Sequence, residues 1–594
     1  MSVRILYGPH KNALTEVFIK EINQAIVKNP PCSLIVIIPE QYSSYYEEQL
    51  SKNKGFLKVE VMTFSRLTQR LFDIEFIHEN NVIDDTGKTM LLYSLLNDKD
   101  FKLEYYHKSK SYPGFSVLAK KTIDELGVNN ISFEDIRKIS KTNGISDSSK
   151  KKFSEIADIY ELYQSKIKEK ESTDLSDSYD QLCKHIENSS SFDNCIIWFD
   201  RFSLFTTREY NVIRQLMKKA DRINMSLCID NSISSPDNLI FRKPWATSDK
   251  IKKEAKTNNI TLIEENICSN ASASFKGNSS LEFLYKNLLS SKIKNYSDIP
   301  DSIEVYKAND IYEEAEYAAI KIMDAVVNRG LRYKDLLCIA SDPLTYERVL
   351  RVVFDQYDIP FYINARRSIS DNPLIKYIIS VLDIYIWDFE ISSISKFIKN
   401  MYSIIDEKDA LKLENYLIKW GISTKKSWHS KWDYENSAYD EKMNVLRLEL
   451  LNFINPFFES IKYGCIPLEF AVNLYKLIDK SGIYEKLNNE NYFLNSDEHE
   501  QAKQCYDTII NILDQLVVMI DNNKKSAEYF INIIKTAFIE STVGVTPMTK
   551  DCVFLTNSAR TDILEYDTVI ILGMNEGMFP IQDDISTLFN DSDI

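Results

Sequence analysis

Asp567-Thr-Val-Ile-Ile-Leu-Gly-Met-Asn-Glu-Gly-Met-Phe-Pro580 is a short β-branched run closed by a glycine turn. Thr568 to Leu572 has the composition of a buried strand. The strand stops at Gly573, and a polar turn with a second glycine, Gly577, follows. In open α/β sheets, ligands bind just beyond the carboxyl ends of the strands. Only fourteen residues follow Pro580 in a chain of 594, where a nucleotide-handling fold would be expected to add further elements.

Working outward, the same pattern opens the chain. Val3–Tyr7, Ser33–Ile38 and Val59–Phe64 read as strands, with helices predicted at Ala13–Ile26 and Ser65–Phe72. Strand–helix alternation with short connections implies a parallel sheet. Residues 76–189 read as helical, and strands return at Asn194–Phe199 and Arg222–Ile229. The Asn-, Ser- and Lys-rich stretch 231–300 reads as loop or partly disordered chain. A second α/β pattern starts near 301, with strands at Ser302–Lys307 and Asp335–Ala340 and helices at Ile311–Asn328 and Leu344–Phe354. Helical periodicity then runs to about 539, and a strand resumes at Cys552–Thr556. The expected fold class is α/β, with two RecA-like parallel-sheet domains, each interrupted by a mostly helical insertion, as in superfamily-1 helicases. The first domain takes residues 1–75 plus 190–300, with its insertion at 76–189. The second takes 301–390 plus 540–594, with its insertion at 391–539.

Composition narrows the class. Apolar residues make up 44%, with 34 Tyr and 30 Phe against 14 Gly and 15 Pro, which favours long helices over turn-rich β structure. No run approaches eighteen apolar residues, so no membrane span is expected. The first residues read as a strand start and not as a signal peptide. Nine cysteines stand singly with no CxxC, so neither a zinc site nor a disulfide framework is expected, and a cytoplasmic location is. A net charge of −15 argues against a generic polyanion binder while leaving room for a local basic channel.

An ATPase of this layout needs G-x-x-x-x-G-K-[ST] after its first strand: glycines for backbone N–H contacts, Lys for the β/γ-phosphate charge, Ser/Thr for magnesium. Here the turn reads Gly8-Pro-His-Lys-Asn-Ala13-Leu14-Thr15. Gly8 and Thr15 fit, but Ala13 replaces the second glycine and Leu14 replaces the lysine. The magnesium and base motif follows the strand Cys195–Phe199 and reads Asp200-Arg201 where Asp-Glu is needed. Arginine accepts no proton. A degenerate nucleotide site is therefore expected at Gly8, Ala13, Leu14, Thr15, Asp200 and Arg201. No catalytic residue and no metal site is assigned. The six histidines stand alone, and neither a G-x-S-x-G elbow nor a nuclease carboxylate pattern is present.

Ordered segments along the chain resemble the AddB/RexB family, the B subunits of bacterial ATP-dependent helicase–exonucleases that process double-strand DNA ends. They are Pro39-Glu40-Gln41, Val59-Glu-Val-Met-Thr-Phe-Ser-Arg-Leu67, Ile83-Asp84 with Gly87-Lys88, Tyr112-Pro-Gly-Phe115, and Ile196-Ile-Trp-Phe-Asp-Arg-Phe202. Phe354 to Leu374 follows, with Tyr357-Asp-Ile-Pro-Phe361 and Ala365-Arg-Arg-Ser-Ile369, and Leu572 to Pro580 closes the series. The resemblance covers the whole chain, and it corresponds to the helicase-like N-terminal half of family members. Their other half carries a nuclease domain with its magnesium and an iron–sulfur cluster, so no cofactor is expected in this chain. The resemblance implies an AddA/RexA-like ATPase–nuclease partner, DNA ends and single-stranded DNA as ligands, and no membrane.

It also marks a DNA path. Thr63-Phe64-Ser65 is similar to a helicase segment that contacts single strands. That puts Thr63 and Phe64 against a base and Arg66 or Arg70 near phosphate, with a buried strand-end Phe64 as the alternative. Arg366 and Arg367 contact phosphate, meet a partner, or lie on plain surface. Ser558-Ala-Arg560 with Leu564-Glu-Tyr-Asp567 is similar to the helicase S-A-K-G-L-E-W-D motif, with Thr561 in place of Gly. The leading expectation is a non-motor, DNA-binding scaffold for end processing and recombination, with a possible hotspot-scanning role. The alternatives are an active superfamily-1 helicase with a divergent nucleotide site, and a protein-interaction scaffold without DNA contact.

Overall fold

The computed structural model describes residues 1–28, 32–52, 58–75, 83–142, 145–170, 175–230, 241–267, 278–288, 294–300, 302–435, 438–489, 492–493, 496–544, 551–557, 566–579 and 587–589. Six strands form the first sheet: β1 (Ser2–Gly8), β2 (Leu34–Ile37), β3 (Val59–Met62), β4 (Ile196–Phe199), β5 (Arg222–Cys228) and β6 (Thr261–Asn266). Their order is β3-β2-β4-β5-β1-β6, and every pairing is parallel. β2 is Leu-Ile-Val-Ile, buried throughout. Such an unbroken apolar run is what a central parallel strand requires, because helices cover both of its faces. The two-residue alternation separates those faces. Leu6, Leu34, Val36 and Trp198 pack with Leu14, Phe18 and Ile22 of helix Lys11–Lys28, whereas Ile5, Ile35, Ile37 and Phe199 pack with Ile213 and Leu216 of helix Thr207–Met217.

Six further strands follow: β7 (Leu336–Ile339), β8 (Phe361–Ile363), β9 (Arg367–Ser368), β10 (Thr542–Val543), β11 (Val553–Thr556) and β12 (Thr568–Ile571). The second sheet has order β12-β7-β11-β8 and is also parallel. Ala315, Ala318, Ala319 and Ala325 line the buried side of helix Ile311–Val327, whose small side chains let it lie close on Leu336, Cys338 and Leu555. β9 and β10 pair antiparallel. That two-residue ribbon joins the points where the chain leaves for, and returns from, the helices between Pro373 and Glu540.

The fold class is as expected: two parallel sheets, each interrupted by helices. Two local expectations are overturned. Within 231–300, expected as loop, the described residues hold helix Arg242–Thr257, strand β6 and helix Ser279–Asn287. The helix Arg242–Thr257 buries only small or scattered residues, Pro244, Thr247, Ser248, Ile251 and Ala255, beneath a lysine-rich face. β6 is an edge strand with mostly exposed side chains, so it lacks alternating hydrophobicity. Conversely, Ser302–Lys307 joins no sheet. Val305 is 93% exposed, and Tyr306 instead stacks on Tyr317 at 3.7 Å, outside the second sheet.

The two helical parts pack against each other. Met90 and Tyr93 of helix Asp85–Leu96 enter the large core formed by residues 369–543. Tyr529 Oη donates to Ser94 Oγ at 2.6 Å. Buried Lys120 reaches across to Glu540 at 2.8 Å; within the first part it also meets Asp85 at 3.0 Å, and buried Lys88 meets Asp124 at 3.0 Å. Among the described residues no helix is long and apolar enough to cross a membrane.

Candidate functional site

The carboxyl ends of β1, β2, β4 and β5 converge on one carboxylate. Asp200 follows β4, its backbone N–H donates to the Ile37 carbonyl at 3.2 Å, and it is 1% exposed. Thr15 Oγ1 donates to Asp200 Oδ2 at 2.5 Å, Tyr46 Oη donates to the same oxygen, and Ser226 Oγ donates to Oδ1. Three hydroxyls from three elements thus satisfy one buried carboxylate. Burial, and then the charge of Asp200, push the Tyr46 phenol well above its ordinary range, so it stays a donor.

Arg201 closes the site. It is 4% exposed, and its Nε donates to Thr15 Oγ1 at 2.8 Å while Nη2 donates to Asn12 Oδ1 at 2.6 Å. Its guanidinium carbon lies 4.9 Å from the Tyr42 ring centre and 5.7 Å from that of Tyr45, and Nε is 4.0 Å from Asp200 Oδ2. The backbone at Arg201 has φ +71°, a left-handed conformation that favours glycine. A non-glycine side chain persists there because its bonds offset the strain. Leu14 folds back onto the end of β1: a Cβ at Gly8 would stand 3.2 Å from Leu14 Cδ2. Leu14 belongs to the apolar layer with Phe18 and not to a phosphate cradle.

The structure therefore brings Gly8, Leu14, Thr15, Asp200 and Arg201 together, with Ala13 in the same first helical turn. They do not fit a magnesium–triphosphate group. The Asp200 oxygens that would reach a cation are taken by hydroxyl donors, and a fixed guanidinium stands beside them. No ammonium is available at position 14. A second cluster, just past the carboxyl ends of β1 and β5, was not foreseen from the sequence, where His10 looked isolated. Its ring lies 5.7 Å from that of Tyr285, whose Oη donates to Asp230 Oδ2 at 3.2 Å. Burial lowers the basicity of His10 despite the nearby Asp230 charge. The available signal was Asp230, standing just past the end of β5.

The residues expected on a DNA path divide. Thr63 is buried, and its Oγ1 accepts from the Arg66 backbone N–H at 3.1 Å at the start of helix Phe64–Glu75. Phe64 is 4% exposed, packed among Phe199, Phe202 and Phe205 at 5.7–6.1 Å, so the buried alternative holds and no face is open to a base. The expected strand ends at Met62, and Phe64 opens the helix instead. Arg66 pairs with Glu47 at 3.2 Å, and Arg70 pairs with Glu60. Arg367 pairs with Glu347, while Arg366 is exposed and makes no ion pair among the described residues.

At the other sheet, the β12 turn is built as its glycines require. Gly573 has φ +69°, its N–H donates to Glu314 Oε1 at 2.7 Å, and Tyr346 Oη donates to Glu314 Oε2 at 2.8 Å. A Cβ at Gly573 would stand 2.8 Å from Tyr346 Oη. Ser558–Arg560, Thr561 and Leu564 lie outside the described residues, as does Pro580. The described cysteines are all free, and no group of potential metal ligands occurs among the described residues. Burial pushes the thiols of Cys195, Cys338 and Cys505 up to about 12, away from the thiolate that metal ligation needs.

Comparison with known proteins adds two family matches. The family described as "ADDB, N-terminal" matches residues 5–285, and "UvrD-like helicase C-terminal domain" matches residues 245–591. The chain is 28% identical over 602 residues to the B subunit of the ATP-dependent helicase/deoxyribonuclease of Clostridium novyi (strain NT), covering 100% of this chain and 53% of that protein. It is 29% identical over 621 residues to the protein of the same name from Clostridium kluyveri (strain NBRC 12016), covering 100% and 54%. With that of Caldanaerobacter subterraneus subsp. tengcongensis it shares 27% over 619 residues, covering 100% and 53%. The chain spans about half the length of the curated relatives it matches.

Proposed function

The chain belongs to the UvrD-like helicases and, within them, to the AddB/RexB group, and from that premise we propose that it is the non-motor, strand-holding part of a B subunit in a helicase–nuclease complex for DNA-end processing. An AddA/RexA-like subunit supplies ATP hydrolysis, and the chain acts in the cytoplasm. Its two sheets, in residues 1–75 plus 190–300 and 301–390 plus 540–594, work as a fixed grip on single-stranded DNA. Scanning for a recombination hotspot is the finer role we assign to that grip. On this reading no cofactor is assigned to these residues, and the iron–sulfur cluster and nuclease magnesium that the family resemblance implies are assigned to the other half.

The observation that supports a non-motor reading is the closed Thr15–Asp200–Arg201 cluster, in which the groups an ATPase would offer to magnesium and water are bonded to one another. The test is ATP turnover by the purified chain with single-stranded DNA and magnesium. The expected result is no turnover above the no-enzyme rate, together with a shift of single-stranded DNA at low salt. Magnesium-dependent turnover overturns the reading and restores the helicase alternative.

A second reading, an interaction scaffold without DNA contact, draws on the burial of Phe64 and the ion pairs of Arg66, Arg70 and Arg367. Absence of any shift at low salt, where electrostatic contacts are strongest, selects it.

A further inference from the structure

A cleft of about 860 Å³ opens where the two helical parts meet, lined by Lys99, Lys462, Lys524, Lys525, Tyr463 and Glu528 among others. Its size is that of ligand sites, roughly 300–1,000 Å³. Four ammonium groups face one carboxylate in its lining, in a chain of net charge −15. Lys462 pairs with Glu459 at 3.3 Å, and Lys525 lies 3.9 Å from Asp98. Lys99 and Lys524 make no ion pair among the described residues.

The cleft is held by backbone. Gly464 has φ +77°, and a Cβ there would stand 2.6 Å from the Lys525 carbonyl oxygen. Only glycine permits that approach, which lets Cys465 and Lys525 exchange two backbone hydrogen bonds of 3.1 and 3.0 Å. The Lys524–Lys525 loop is thereby fixed beside Lys462 and Tyr463. Helix Ala527–Glu540 begins in the lining, capped by Ser526 Oγ accepting from the Tyr529 N–H at 3.3 Å, and its positive end adds to the lysines. Tyr463 is 78% exposed, with the Lys462 ammonium 5.3 Å from its ring centre.

We infer that this cleft binds the phosphate backbone of a single-stranded nucleic acid, with the lysines on phosphate and Tyr463 stacking a base. Cations interleaved with an open aromatic face are what sequence-tolerant single-strand binding uses. An acidic peptide would engage the lysines but leave Tyr463 idle. The inference rests on the proposed DNA-holding role but names a separate site: helix Ala527–Glu540 lies between the cleft and β9–β10, about 20 Å along its axis.

The test is fluorescence anisotropy of a labelled oligothymidylate with the full chain, between about 50 and 200 mM salt. Lys99→Gln with Lys524→Gln is expected to reduce the steepness of log Kobs against log salt by about 1.4, the share of two phosphate contacts. Tyr463→Ala is expected to weaken binding roughly tenfold with the slope unchanged. Lys99→Arg with Lys524→Arg must keep the parent slope, which separates lost charge from lost structure. If the parent chain binds and the Gln variant keeps its slope, this inference fails alone. If the parent does not bind at any salt, the DNA-holding reading fails with it. A polyglutamate peptide that competes as well as the oligonucleotide, with Tyr463→Ala silent, overturns the inference in favour of an acidic protein segment.

Discussion

Replacing Arg201 with Ala and with Gly separates what its side chain contributes from what its backbone costs. Ala removes the bonds to Thr15 and Asn12, the cation beside Asp200 and the contact with the Tyr42 ring, while the φ of +71° remains. Breaking a buried charge pair by deleting one partner costs about 3–5 kcal/mol. Gly loses the same contacts, but it adopts the left-handed conformation without the ~1–2 kcal/mol that an L side chain incurs there. Gly is thus expected to be less damaging than Ala by about 1–2 kcal/mol, the reverse of the order at ordinary helical positions. The assay is native-state hydrogen exchange of segments 11–18 and 196–203, which reports local opening free energies. At about 1.4 kcal/mol per tenfold, Arg201→Ala speeds exchange in both segments by roughly two to three and a half orders of magnitude. Arg201→Gly speeds it about tenfold less. Equal exchange in the two variants, or Ala closer to the parent than Gly, refutes the argument that the side chain holds this backbone in place.

Three further outcomes follow from other contacts. Leu14→Lys, made with Ala13→Gly to restore phosphate-loop residues, is expected to lower stability by about 3 kcal/mol or more, because Leu14 is in the core; thermal unfolding checks this, and no ATP turnover appears. Lys120→Met leaves Asp85 and Glu540 facing each other without their cation and, because Asp85 remains open to solvent, costs about 1.5–3 kcal/mol at neutral pH. Burial alone would depress Lys120, but its bonds to Glu540 and Asp85 outweigh that and raise it above the ordinary 10.5. Its stabilisation is therefore fully present below 10.5 and fades as pH rises through the raised value, so parent and variant should converge only in strong alkali in pH-dependent denaturation. Gly464→Ala forces a Cβ against the Lys525 carbonyl at φ +77° and costs about 2–4 kcal/mol, read as faster exchange of the Cys465 and Lys525 amides.

The sequence was most legible at β2, a strand buried throughout. β12 was also legible as a β-branched run ending in a turn, but it is an edge strand with Val569 and Ile571 exposed and not the buried strand its composition suggested. The nucleotide site was legible as a list of residues but not as an arrangement: Arg201 was visible as a missing base, whereas its insertion against Thr15 depends on a left-handed backbone and on Tyr42 from another element. Phe64 looked like a stacking ring because a strand end is often exposed. It is buried because Phe199, Phe202 and Phe205, well over a hundred residues later, close over it. β6 was illegible because an edge strand with its side chains in water carries no hydrophobic period. The lysine cleft escaped notice for a related reason: Lys99 and Lys524 are distant in sequence, and only the packing of the two helical parts places them together.

That packing bears on why the chain would hold and not move. A motor of this architecture works by closing two sheet lobes on a nucleotide and reopening them, so its lobes need a weak or sliding contact. Here the helices carried by one sheet share a core with those carried by the other, through Met90 and Tyr93. Buried Lys120 ties Asp85 to Glu540 across the same boundary, and Leu588 donates its N–H to Thr122 Oγ1 at 2.9 Å. Opening that boundary would break the Lys120–Glu540 ion pair and bring the buried Met90 and Tyr93 side chains into water, a cost of several kcal/mol. The closed cluster and the cross-tied helices are thus two parts of one arrangement. On the proposed non-motor reading no triphosphate drives a stroke, and a rigid body that presents its clefts at fixed spacing is what the packing supports.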